Sequence, residues 1–189
     1  LFPALTETET PQDVLAVVEQ PPEKEGFPAV GNDYCALVLH QLQDPGNLGT
    51  IIRTAWAAGL ADLFLTPGTV DPFGGKVVRS SQGGIFHLDL YFRSLPTILE
   101  WAGRNGVKVW AGDPRGHQLY FEQDYTGPTI FLLGNEAHGF TGTTIKPDRV
   151  VEGVRIPLPG GAESLNVSVS AAILIYEALR QRLTGTGRE

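Results

Sequence analysis

Three short segments hold most of the residues whose types and spacing bear on chemistry. The first is Asn47-Leu48-Gly49-Thr50-Ile51-Ile52-Arg53, closed by Gly59. The second is Leu133-Gly134-Asn135-Glu136-Ala137-His138-Gly139. The third is Ile156-Pro157-Leu158-Pro159-Gly160, followed by Glu163-Ser164-Leu165-Asn166-Val167-Ser168. Taken singly, each has a bland reading. The glycines serve turns, Arg53 is a solvated surface arginine, and Ser164, Asn166 and Ser168 cap a helix. Taken together they offer many backbone N–H and C=O groups, an arginine, a glutamate and an Asn/Ser cluster at a helix start. Such a set suits an uncharged adenine and ribose held by main chain.

Other chemistries lack their residues. There is no G-x-x-x-x-G-K-[ST] phosphate loop, no G-x-G-x-x-G dinucleotide loop and no G-x-S-x-G nucleophile elbow. The single cysteine, Cys35, excludes an intrachain disulfide and lies in the apolar run Tyr34–Leu39, where a buried core thiol is expected. His40, His87, His117 and His138 show no metal-ligand spacing, so no metal is expected. The net charge of −7, from 14 Lys+Arg and 21 Asp+Glu, counts against nucleic-acid binding unless cations cluster locally.

The elements that must position these segments read as alternating strands and helices. The 189 residues, 42% hydrophobic and 19% charged, have a globular composition and suggest one main domain. The longest apolar runs, Tyr34–Leu39 and Ala171–Tyr176, are far short of the roughly 20 residues of a membrane span. No signal peptide is visible, and a reducing cytoplasm is expected. Strands are predicted at Tyr34–Gln41, Asp62–Thr66, His87–Phe92, Val107–Gly112, Thr129–Leu133 and Val154–Leu158. Helices are predicted from an Asn47 N-cap to Gly59, over Lys76–Gln82, over Leu95–Asn105 and over Asn166–Arg182. The alternation predicts an α/β fold, a mostly parallel sheet with helices on both faces, whose ligand site lies at the carboxyl ends of the strands. The last helix is apolar nearly all round at Ala171–Tyr176 and is expected to be buried, in part against another subunit. Residues 1–31, rich in Pro, Glu and Thr with a strand-like Val14–Val18, read as an arm or linker, and 32–189 as the folded domain. The chain starts at Leu1 and contains no Met, so an upstream part is expected.

The three segments resemble the three signature motifs of the SpoU (TrmH-type) RNA 2′-O-ribose methyltransferases of the SPOUT superfamily. The first matches at Asn47, Gly49, Arg53 and Gly59. The second matches at Leu133-Gly134, Glu136 and Gly139. The third matches at Ile156-Pro157, Gly160 and Ser164-Leu165-Asn166-Val167-Ser168, with Ala171 following. Lys76-Val77-Val78-Arg79-Ser80-Ser81 resembles the family's basic segment between the first two motifs, and Leu158 stands where the family often has Met. The resemblance spans roughly Tyr34 to Arg182.

The resemblance implies a C-terminal trefoil knot, S-adenosylmethionine as cofactor and a homodimer with a shared active site. It implies a cofactor cradle of Leu133, Gly134, Asn135, Gly139, Ile156, Pro157, Leu158, Gly160, Ser164, Leu165 and Asn166. It implies catalytic duties for Arg53, Asn47, Glu136, Asn166 and Ser168, with Arg53 on a phosphate and on the developing alkoxide, since a guanidinium does not deprotonate. Ribosomal RNA is the expected substrate, with transfer RNA or an inactive RNA- or cofactor-binding module of the same fold as alternatives. Arg53, Lys76, Arg79 and Arg155 are the candidate cationic patch. Leu5–Val18 resembles the tail of the additional N-terminal RNA-binding domain found in many members, so this chain alone is expected to bind RNA poorly.

Overall fold

The computed structural model describes residues 16–134 and 151–185. Among these residues seven strands form one parallel sheet: β1 (Cys35–Leu39), β2 (Asp62–Leu65), β3 (Asp89–Phe92), β4 (Lys108–Gly112), β5 (Gln118–Leu119), β6 (Thr129–Leu133) and β7 (Val151–Arg155). Their spatial order is β3-β2-β1-β6-β4-β7-β5. Among the described residues four helices accompany them: α1 (Pro45–Ala57), α2 (Gly75–Ser80), α3 (Leu95–Arg104) and α4 (Val167–Gly185).

The pleat divides the apolar residues between two cores. Leu37 and Leu39 of β1, Leu63 and Leu65 of β2, and Phe131 and Leu133 of β6 point to one face, under α1, α2 and α4. Ala36 and Val38, Phe64, Ile130 and Leu132 point to the other, under α3. Both faces are thereby removed from water, as the apolar central strands require. The arm is partly bound to the second face: Phe27 stacks on Trp101 at 4.9 Å, and Arg93 donates to the carbonyls of Lys24 and Gly26 and pairs with Glu23.

Several boundaries differ from the sequence reading. The α1 N-cap is Asp44, whose Oδ1 accepts from the Asn47 N–H at 2.7 Å. Pro45 fits the first turn, where its missing N–H costs nothing, so the helix starts two residues before Asn47. The last strand is Val151–Arg155, ending before Pro157 and Pro159, which have no ladder donors. Residues 84–86 form a 3-10 turn, so β3 begins only at Asp89. The two-residue β5, too short for a periodic signal, was not predicted. Ala16, Val17 and Val18 of the strand-like arm piece are exposed and outside any strand. Gly59 (φ +81°) does close α1 in the left-handed conformation.

Helix α4 buries Val167, Ser168, Ala171, Leu174, Ile175 and Ala178. On its far side Val169, Tyr176 and Leu183 are 46%, 47% and 68% exposed. At its C-terminal end Arg182 donates to the carbonyls of Asp33, Tyr34, Tyr125 and Gly127, clamping the helix to the amino ends of β1 and β6. Among the described residues no helix is long and apolar enough to cross a membrane.

Candidate active site

Connections leave β1 toward β2 on one side, while β6 and β4 lie on the other. The carboxyl ends of β1 and β6 therefore border the crevice where parallel sheets receive ligands. The loop after β1 and the end of β6 touch there, with the His40 N–H donating to the Leu133 carbonyl at 2.8 Å. Leu133 is buried and Gly134 half-buried at this edge. Asn135, Glu136 and Gly139 lie outside the described residues, as does His138, so their expected roles have no structural counterpart; the expected knot draws on the same segment.

The loop after β7 runs back toward α1. Asn166 ends it and begins α4: its Oδ1 accepts from the Ser168 N–H at 2.8 Å and the Ser168 hydroxyl at 2.6 Å. Its Nδ2 donates to Asn47 Oδ1 at 3.0 Å. One amide thus caps α4 and ties its start to the first turn of α1, joining segments 119 residues apart. The bland reading of Asn166 as a cap is correct and incomplete. Ser164 and Gly160 are exposed, whereas Ile156, Pro157, Leu158 and Leu165 are half-buried. Ile156 packs on the core beneath α4.

This loop fits an adenosine-like cofactor. Within 156–165 the single loop backbone hydrogen bond among the described residues is from Gly161 N–H to the Leu158 carbonyl, at 3.2 Å. Its backbone N–H and C=O groups stand beside the half-buried Ile156, Pro157 and Leu158. Main-chain polar groups next to an apolar wall suit an uncharged heterocycle better than a phosphate. Among the described residues no group of three His, Cys, Asp or Glu side chains is placed to hold a metal.

Arg53 is exposed on α1 and is not part of the Asn47–Asn166–Ser168 cluster. Six residues past Asn47, it sits about 240° further around the helix. It lies instead on the α2 side, where its Cα would be 3.3 Å from a Cβ at Gly84. Gly49 has a packing duty on that same side. A Cβ there would meet the Val77 carbonyl at 2.7 Å and Ser80 Cβ at 2.8 Å, so only glycine lets α1 and α2 approach this closely. The approach brings Lys76 and Arg79 of α2, both exposed, to the flank of α1; Lys76 Nζ is 3.9 Å from Asp44. Arg155 does not join them. It is half-buried on β7, three strands from β1, or about 14 Å at ordinary strand spacing.

Sequence reasoning passed over His40 except as a non-ligand. It is buried at the crevice, with Nδ1 3.0 Å from Thr66 Oγ1, and burial pushes its pKa below the usual range, so it is neutral at pH 7. Its position directly after the first apolar strand was the available signal. Cys35 is half-exposed by surface but packs on the core, and burial raises its thiol pKa, which keeps it a weak nucleophile.

The family model described as the SpoU rRNA Methylase family matches residues 34–176. The chain belongs to this family. It is 41% identical over 175 residues to the 23S rRNA (guanosine(2553)-2′-O)-methyltransferase RlmP of Bacillus subtilis, covering 93% of this chain and 68% of that protein. It is 35% identical over 152 residues to the tRNA (guanosine(18)-2′-O)-methyltransferase of Thermus thermophilus, covering 78% of this chain and 75% of that protein. Among solved structures, the SpoU methyltransferase AviRb from Streptomyces viridochromogenes in complex with AdoMet superposes with a TM-score of 0.79. That match has 31% identity and covers 88% of this chain and 68% of that one. The chain spans between 53% and 75% of the length of such curated relatives. The α/β fold with its parallel sheet is the fold of these SpoU methyltransferases.

Proposed function

We propose that this domain transfers the methyl group of S-adenosylmethionine to a ribose 2′-hydroxyl of ribosomal RNA. The observation that carries the reading is the bond between Asn47 and Asn166, which joins the first and third motifs beside the crevice. The preference for ribosomal over transfer RNA rests on the 41% identity to a 23S rRNA enzyme, against 35% to a tRNA enzyme.

S-adenosylmethionine, when bound, supplies a methyl group already activated by a sulfonium charge. Leu133, Gly134, Ile156, Pro157, Leu158, Gly160, Ser164 and Leu165 hold it through backbone groups and an apolar wall. Asn135 and Gly139 complete that set in the family motif, and Glu136 holds a loop or an arginine of the partner. Asn166 and Ser168 orient the ribose hydroxyl, and Asn47 fixes Asn166. Arg53 binds the neighbouring phosphate and stabilises negative charge on the attacking oxygen. A guanidinium is a poor base, so the hydroxyl proton leaves to the phosphate or to water.

A homodimer in the cytoplasm is part of the proposal. The exposed Val169 and Tyr176 on one side of α4 support it. Arg53→Ala is expected to abolish methyl transfer and to leave cofactor affinity by calorimetry within about threefold, because ground-state cofactor contacts are intact. Loss of both would reassign Arg53 to the cofactor cradle. Mapping 2′-O-methyl positions in total RNA with and without the gene identifies the nucleotide. A monomer by sedimentation at micromolar concentration would refute the dimer.

A further inference from the structure

Beside Arg53, the α2 side of α1 carries an aromatic pair to which the methyl-transfer reading gives no role. Trp56 and His87 stack with ring centroids 4.2 Å apart and planes 5° from parallel. Both stay accessible, Trp56 at 39%, and the adjacent Phe86 is 67% exposed. The stack is held in register by Gly84. A Cβ there would lie 3.3 Å from Arg53 Cα, Ile52 Cγ2 and the Ile52 carbonyl, so the 3-10 turn Gly84–Phe86 rests directly on α1 and delivers His87 to Trp56. Arg53 and Trp56, three residues apart, share this flank within about 4.5 Å along the helix axis. Exposed Lys76 and Arg79 stand on the neighbouring α2.

We propose that the stacked Trp56–His87 pair is a platform for one unpaired base of single-stranded RNA, next to the nucleotide whose phosphate Arg53 takes. The inference rests on the reading of this domain as acting on RNA. Flat aromatic faces beside guanidinium and ammonium groups match what a single strand presents, a base π-face next to a phosphate. The cationic neighbours matter because the chain as a whole is acidic, and cations clustered locally can hold a polyanion there. A second copy of the chain fits less well. The exposed apolar face belongs to α4, which meets α1 through Asn47, and Asn47 lies about 200° around the helix from Gly49, the residue facing α2.

The test is a titration of the 189-residue chain with fluorescein-labelled oligoadenylate, read by anisotropy, with tryptophan emission followed in parallel. The wild type should bind at low salt, weakly because the chain is acidic as a whole, and lose part of its tryptophan emission. Trp56→Ala should raise Kd by roughly 5- to 150-fold, the range expected for one base–aromatic stack. His87→Ala, a surface change that leaves Trp56 in place, should raise it less. Neither should alter the salt slope, whereas Arg79→Ala should lower it by about one. Four results would overturn the proposal: no binding by the wild type, unchanged Kd in both aromatic variants, competition by inorganic polyphosphate as strong as by unlabelled oligoadenylate, or dissociation of a wild-type dimer by Trp56→Ala. Methyl transfer is measured separately. A chain that binds oligoadenylate through Trp56 yet transfers no methyl group overturns the enzymatic reading alone, and an active chain indifferent to Trp56→Ala overturns the platform alone.

Discussion

Replacing Asn166 separates two duties of one side-chain amide. Its Oδ1 caps α4 through Ser168, and its Nδ2 reaches Asn47. Losing an N-cap costs about 0.5–2 kcal/mol. The bond to Asn47, exposed to water, adds no more than about 0.5–1 kcal/mol. Asn166→Ala is therefore expected to lower stability by about 1–3 kcal/mol, which for a chain of this size is a fall in Tm of about 2–12 °C. Asn166→Ser restores the cap, because serine and asparagine cap about equally well, but its hydroxyl is too short to reach Asn47. Its Tm should return to within about 1–4 °C of wild type while methyl transfer stays low. Asn47→Ala breaks the same bond from the other end. The double variant should then lose no more activity than the worse single one, since both remove one shared interaction. Calorimetry and methyl incorporation into RNA, run on the four variants and the wild type together, decide the matter. An Asn166→Ser protein as active as wild type would refute the bridge, and an Asn166→Ala protein with unchanged Tm would refute the cap.

Gly49→Ala should destabilise even though alanine gains about 1 kcal/mol of helix propensity. The new Cβ would press on the backbone carbonyl of Val77, and overpacking of about 1–3 kcal/mol outweighs the gain; a variant that melts higher than wild type would show that α1 and α2 separate freely. Asp62 is buried, and burial raises its carboxyl pKa above the ordinary value. The folded state therefore holds its proton more tightly than the unfolded state, and the stability this brings is present below about pH 4 and lost as pH rises through the folded pKa. Asp62→Asn should accordingly be more stable than wild type at pH 7.5 and close to it at about pH 4 in urea titrations. An equal gap at both pH values would assign the effect to packing instead of charge.

The sequence by itself determined the layers and the motif identity. Cys35–Leu39 and Thr129–Leu133 are short apolar runs whose alternate residues must both be buried, and only a sheet covered on two faces does that. The glycines that close α1 and α3, Gly59 and Gly106, were legible because a positive φ leaves few other residues. The three motifs were legible as residue types at fixed spacing. Their expected place at the carboxyl ends of strands followed from the alternation of strands and helices.

Tertiary structure alone decided the rest. The β3-β2-β1-β6-β4-β7-β5 order depends on long-range pairing that no local pattern encodes. The Asn47–Asn166 bond spans 119 residues, and each partner has a sufficient local role that hides the distant one. Gly49 and Gly84 read as turn or cap glycines, yet each exists for the backbone it touches on another element. Trp56 and His87 carry no signal of pairing 31 residues apart, because stacking is set by how closely the 3-10 turn lies on α1. Side-chain periodicity reports which face of an element is apolar. It does not report what that face meets, and here the meeting of faces builds the site.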